Sequence, residues 1–171
     1  MKSVLISIKP KWVDKIASGE KTIEVRKTVP KEVPFKAYIY CSYGDMKTNY
    51  YLKGRGEVIG EFICDKVYKW GYDYCDGVDI DDDLIVDTCL DRENINIYAK
   101  GKTLYGWHIS DLKIYDKPRE LSEFRKPCPY GDSLCQVCEY YSDYSGECRN
   151  IITRPPQSWQ YVKELENEQR N

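Results

Sequence analysis

Ser3-Val4-Leu5-Ile6-Ser7-Ile8 reads as a first strand, ended by Lys9-Pro10. Pro10 suits the first turn of a helix, within which Val13, Ile16 and Ala17 recur at helical spacing. Ser18-Gly19 closes that helix, glycine being common just past a helix end. Next, Ile23 and Val25 alternate with Thr22, Glu24 and Arg26. A strand there is predicted to bury the first pair and to present the other three together. It stops near Pro30. Phe35 to Cys41 is a period-2 strand with Ala37, Ile39 and Cys41 on one side. Tyr43 to Gly56 is polar and predicted to be loop. Val58 to Cys64, with Gly60 as a bulge, and Val67 to Trp70 follow as strands. Asp79 to Asp83 reads as a solvated acidic loop and Asp91 to Ala99 as a weak helix. Leu104–Ile109 and Leu112–Tyr115 are strands, and Pro118 to Phe124 is a helical turn. Pro155 to Val162 begins as a rigid bend and ends as a strand; Lys163 to Asn171 is polar, helical or frayed. Many short strands with few helices predict a mainly β (α+β) chain arranged as a small β-barrel.

At 171 residues the chain is expected to form one domain over residues 1–165, with a polar tail at 166–171. Apolar runs such as Val4-Leu5-Ile6 are far too short to span a bilayer, so no membrane partner is expected. No apolar signal region follows Lys2, which places the protein in the cytoplasm. The net charge of −2 does not describe a strongly basic nucleic-acid binder. Its distribution changes that picture. Residues 1–60 hold 12 Lys+Arg against 6 Asp+Glu, and the remainder holds 14 against 22. A basic N-terminal part can attract phosphate while the rest stays acidic. Sixteen tyrosines and four tryptophans supply core and, at Tyr50-Tyr51 and Tyr140-Tyr141, candidate stacking faces.

The densest chemistry lies in Gly19-Glu20-Lys21-Thr22-Ile23-Glu24-Val25-Arg26. On one strand face Glu24 and Arg26 stand about 7 Å apart, given a rise of about 3.3 Å per residue. Lys21 can hold a phosphate as a point charge or, desolvated, act as nucleophile or base. Glu24 can accept from a base amino group, act as general base, or pair with Arg26. The planar fork of Arg26 suits phosphate or carboxylate. Lys9 and Trp12 flank the helix start near the same mouth. His108 is the one histidine, which removes any site needing two, and a structural role is expected for it. The glycines lack the spacing of a phosphate loop, and the acidic loop lacks the glycine and final glutamate of a calcium loop.

Four of the eight cysteines are dispersed: Cys41, Cys64, Cys75 and Cys89. Cys128, Cys135, Cys138 and Cys148 fall within 21 residues, with Cys135-Gln136-Val137-Cys138 at the centre. Thiolates two residues apart can reach one zinc, and two more complete a closed structural site. Residues 127–150 therefore read as a cysteine-bearing insert fastened by zinc, with disulfides or free thiols as the alternatives. A protein partner could also dock there.

Gly19, Lys21, Glu24 and Arg26 fit the Gly-x-Lys-x-x-Glu-x-Arg signature of the ASCH family, a branch of the PUA-like proteins. Ser7-Ile8-Lys9-Pro10, Gly106-Trp107-His108-Ile109 and Pro155-Pro156-Gln157-Ser158-Trp159 agree as well. The chain resembles this family over residues 1–126 and 151–165. The resemblance implies a mostly antiparallel PUA-like barrel with a helix near its mouth and a cleft lined by the motif. It also implies binding of RNA or a nucleotide, through Lys9, Trp12, Lys21, Glu24, Arg26 and Trp159. One branch of the family deacetylates a modified cytidine with the motif lysine, a threonine and a second-strand glutamate. Here Glu24 stands where that branch has threonine, and Glu57 or Glu61 would have to supply the second carboxylate. A binding module is therefore the expectation. The alternatives are an amidohydrolase in which Lys21 and Glu24 are catalytic, and a ribonuclease.

Overall fold

A computed structural model describes residues 1–43, 55–128, 141–142, 147–148 and 150–165. β1 (Lys2–Ile8) leads through α1 (Pro10–Ala17) to β2 (Ile23–Arg26), and β3 (Phe35–Cys41), β4 (Val58–Cys64) and β5 (Val67–Trp70) follow. A two-residue hairpin, β6 (Tyr72–Asp73) and β7 (Gly77–Val78), precedes α2 (Asp82–Thr88) and α3 (Arg92–Ala99). Then come β8 (Leu104–His108), β9 (Ser110–Arg119) and a 3-10 turn at Leu121–Glu123. The last strands are β10 (Tyr141–Ser142), β11 (Glu147–Cys148) and β12 (Trp159–Val162). No helix among the described residues is long and apolar enough to cross a membrane.

The larger sheet runs β12-β1-β3-β4-β9 and the smaller β2-β8-β5. Pairing is antiparallel except between β1 and β3, where Lys2 lies opposite Phe35 and Ile8 opposite Cys41. That parallel pair needs a long crossover, which α1 and β2 provide. The mainly β, mostly antiparallel expectation stands; the closed barrel does not. Among the described residues β12 and β9 remain the two edges of the larger sheet, and β2 and β5 those of the smaller. The two sheets connect between β8 and β9. The Ile109 N–H still donates to the Thr22 carbonyl, Asp111 takes a φ of 47°, and Ser110 already faces Ile63 in the larger sheet. The chain thus changes sheets at a corner, as strands do where two sheets pack.

The larger sheet is buried on both faces. Val4, Ile6 and Ile8 of β1 join Ala37, Ile39 and Cys41 of β3, the side predicted for that strand, against Val13 and Ile16 of α1 and Trp107 of β8. On the opposite face Leu5, Tyr38 and Tyr40 pack with Phe124, Ile152 and Val162. Burial on both faces accounts for the nearly continuous apolar run of β1. A third cluster joins Ile23 and Val25 of β2 to Trp70, Val78, Ile95 and Leu104. The expected acidic loop is corrected here. Asp82 and Asp83 form the first turn of α2, where carboxylates favour the helix N-terminus, and Leu84 and Ile85 pack on the third cluster.

On either side of the cysteine segment the chain meets itself. Arg125 bridges Ile151, and the Lys126 N–H donates to the Asn150 carbonyl. Cys128 is half-buried. Cys135, Cys138 and the Cys148 side chain lie outside the described residues, as do Tyr50, Tyr51, Tyr140 and the tail at 166–171.

Candidate functional site

Gly19 takes a φ of 78°, the left-handed turn that glycine accepts without strain, and this aims the chain from α1 into β2. Lys21 lies between them. Its Nζ donates to the carbonyls of Ile23 and Thr88, both at 2.7 Å, and sits 3.4 Å from Glu24 Oε2. The other oxygen, Glu24 Oε1, is 2.9 Å from Arg26 Nη2, which also donates to the Ser7 carbonyl at 2.7 Å. Lys21, Glu24 and Arg26 thus form one cation–carboxylate–cation row. The sequence pattern predicts that Glu24 and Arg26 are presented at a surface; they are 5% and 8% exposed. Ile23 and Val25 are buried as predicted, on the other face.

Burial pushes the Lys21 amine below its ordinary range, and Glu24 opposes that shift. The hydrogen bonds decide the form present. A neutral amine has two N–H groups, which the two carbonyls would consume, leaving its lone pair towards the Glu24 carboxylate. An ammonium satisfies all three oxygens at once. The geometry is that of the cation.

Beside this row lies a cavity of about 760 Å³. Of the predicted ligand-binding residues, Lys9, Trp12, Lys21, Glu24 and Arg26 all line it. Lys11, Lys27 and Lys100 add three more cations, and Glu24 is the one carboxylate among the described lining residues. Lys11 Nζ stands 4.2 Å from the centre of the Trp12 ring, and Lys27 Nζ 5.1 Å from that of Tyr98. Pro155, Pro156, Gln157 and Ser158 complete a wall, tied to β1 by the Ser7 hydroxyl, which donates to the Pro156 carbonyl at 2.6 Å.

Trp159 is not among the lining residues. Its ring packs edge-on against Trp107 and Tyr161, and its Nε1–H donates to Thr28 Oγ1 at 2.9 Å. Glu57 and Glu61 do not line the cavity either; Glu61 accepts from the Tyr115 hydroxyl at 2.6 Å. His108 lies elsewhere, with Nδ1 2.6 Å from Asp65 Oδ1. No grouping of three or more His, Cys, Asp or Glu side chains able to hold a metal occurs among the described residues. Sequence reasoning missed the α3 wall: Asn94, Ile97, Tyr98 and Lys100. The sequence signal available was slight: Tyr98 two positions before Lys100 at the end of a helix that also carries Ile95 and Ile97.

No protein-family model and no curated protein matches the chain. Among solved structures, the ASCH protein from Zymomonas mobilis matches with a TM-score of 0.58 and 18% identity, over 95% of this chain and 89% of that one. A mutant of that protein gives 0.56 and 17%, over 96% and 92%. Two open sheets with three short helices, matched almost end to end by those structures, amount to an ASCH fold.

Proposed function

We propose that the cavity binds RNA or a nucleotide, taking an unpaired or modified base, and that the protein acts as a regulatory binding module. One observation carries this reading: six cations, with the rings of Trp12 and Tyr98, surround a single carboxylate in one concavity. A phosphorylated ligand matches that charge balance and a bare nucleoside does not. Arg26 also lines the cavity, and its planar guanidinium is a fork suited to phosphate. Glu24, held by cations on both oxygens, is placed to accept from an exocyclic amino group. A base that displaces Lys11 from the Trp12 ring can stack there, a contact worth roughly 1–3 kcal/mol per base. A concave site of this kind suits a splayed base better than a paired one.

Binding of labelled single-stranded RNA across a salt series tests the proposal. The double variant Lys9→Ala/Lys11→Ala is expected to bind several-fold more weakly, with a salt slope flatter by about 0.7 for each phosphate no longer neutralised. Binding that is absent at low salt, or indifferent to both lysines, would sink it.

The second reading is hydrolysis of an acylated nucleoside, and the desolvation of Lys21 favours it. Against it, all three Nζ donors are engaged and no second carboxylate lines the cavity among the described residues. Acetate released from acetylated cytidine by the wild type, and not by Lys21→Ala, would reverse the preference. A ribonuclease would need acid–base groups that His108, paired with Asp65 outside the cavity, does not supply.

A further inference from the structure

The cavity carries two aromatic rings paired with ammonium groups: Trp12 with Lys11 and, at 5.4 Å, Lys21, and Tyr98 with Lys27. On α1, Lys11 stands over Trp12 at 4.2 Å; across the motif, Lys27 stands by Tyr98 of α3 at 5.1 Å. Both pairs line the same concavity, together with Glu24 and Arg26. Tyr98 is 37% exposed and its neighbour Ile97 60%, so α3 presents an amphipathic face there. Burial raises the Tyr98 phenol, with Arg26 opposing and Glu24 adding to the rise, which puts the ring close to the charged row. Small-ligand sites run from roughly 300 to 1,000 Å³. At about 760 Å³ this one lies in the upper part of that range.

We infer that Tyr98 and Lys27 form a second base station, so that the site takes two successive nucleotides of a single strand, one stacked on Trp12 and the next on Tyr98. This rests on the nucleotide-binding reading above. Arg26 supplies what a connecting phosphate needs. It lines the cavity with a planar, permanently charged guanidinium. Each lysine beside a ring is a second cation for a backbone phosphate. Stacking tolerates any base because every base has a π face, so the second station should add affinity and length dependence more than sequence choice. Tyr98 is thus a specificity-determining residue for strand over monomer.

Calorimetric titration with uridine 5′-monophosphate and with an eight-residue oligouridylate, at one salt concentration, tests this. The octamer should bind at least about tenfold more tightly than the monomer, the low end of one added stack and one added phosphate. Tyr98→Ala should remove most of that advantage, weakening the octamer at least about fivefold more than the monomer. Tyr98→Phe should keep it, and Trp12→Ala should weaken both ligands. Should Tyr98→Ala fold poorly by circular dichroism, Lys27→Ala provides the same comparison. Equal affinity for monomer and octamer, or equal loss for both in Tyr98→Ala, overturns the second station and leaves the first intact. Failure of both ligands to bind the wild type removes the nucleotide reading and this inference with it.

Discussion

Lys21 and Lys9 both face the cavity, yet their electrostatic situations are opposite. Lys21 is 3% exposed, with every Nζ hydrogen directed at protein oxygen. Lys9 is exposed at the mouth. Lys21→Ala leaves Glu24 paired with Arg26, but it strips two buried carbonyls of their donor and empties the space of the side chain, so it is expected to lose about 2–5 kcal/mol of unfolding free energy. Lys9→Ala should leave stability within about 0.5 kcal/mol, as surface substitutions do. Urea denaturation separates the two. Indistinguishable midpoints for Lys21→Ala and wild type would mean that the buried ammonium is not held as described.

Two glycines frame β2 for different physical reasons. Gly19 has nothing within 4 Å of where a Cβ would stand, so only its left-handed φ opposes substitution. Gly106 of β8 pairs with Val25, and a Cβ there would lie 2.3 Å from the Trp70 ring and 2.9 Å from Ile23. Two rigid neighbours must move, and one of them is part of β2. Gly19→Ala is expected to cost about 1–2 kcal/mol, the strain of a left-handed residue bearing a Cβ. Gly106→Ala should cost about 1–3 kcal/mol through overpacking. It should also weaken ligand binding, because it displaces the strand that carries Glu24 and Arg26, whereas Gly19→Ala should not. Thermal unfolding with RNA titration on both variants checks this; unchanged binding in Gly106→Ala would contradict it.

Across the whole molecule, the buried thiols and phenols make the fold sensitive to alkali. Burial pushes the Cys41 thiol up to about 11 and the Cys64 thiol up to about 12, from an ordinary 9.0. It also raises the phenols of Tyr38, Tyr40, Tyr98 and Tyr115. These six groups keep protons in the folded chain that the unfolded chain gives up at lower pH. Their contribution is complete below the unfolded values and is lost as pH rises through the folded ones. Lys21 runs the other way: its lowered pKa makes the folded chain release a proton first, so its contribution improves with pH. Desolvation of Lys36 is outweighed by Glu164, Tyr38 and Glu61, which raise its pKa, so among the described residues seven groups against one decide the sign. The urea midpoint should fall between about pH 8 and about pH 10.5, and a flat or rising profile would refute the assignment.

The residues from Ser3 to Arg26 encode their own local structure: a strand, a helix closed by Gly19, and a second strand with Ile23 and Val25 turned inward. Period-2 alternation and helix-end chemistry act over a handful of residues, which is why these elements, and β5 at Val67–Trp70, are legible from the chain alone. Glu24 and Arg26 fall on a common face for the same reason. Their burial is not legible, because it depends on cover that arrives from elsewhere in the chain. The Thr88 carbonyl that holds Lys21 lies 67 positions away, and the wall at Pro156 is tied to Ser7 across 149. The turning of Trp159 onto Trp107, the corner at Asp111 where the chain passes between the sheets, and the delivery of Tyr98 to the cavity are likewise outcomes of packing between distant segments. Local alternation states which side of a strand is polar; only the assembled fold settles whether that side meets water, a protein wall or a binding cavity.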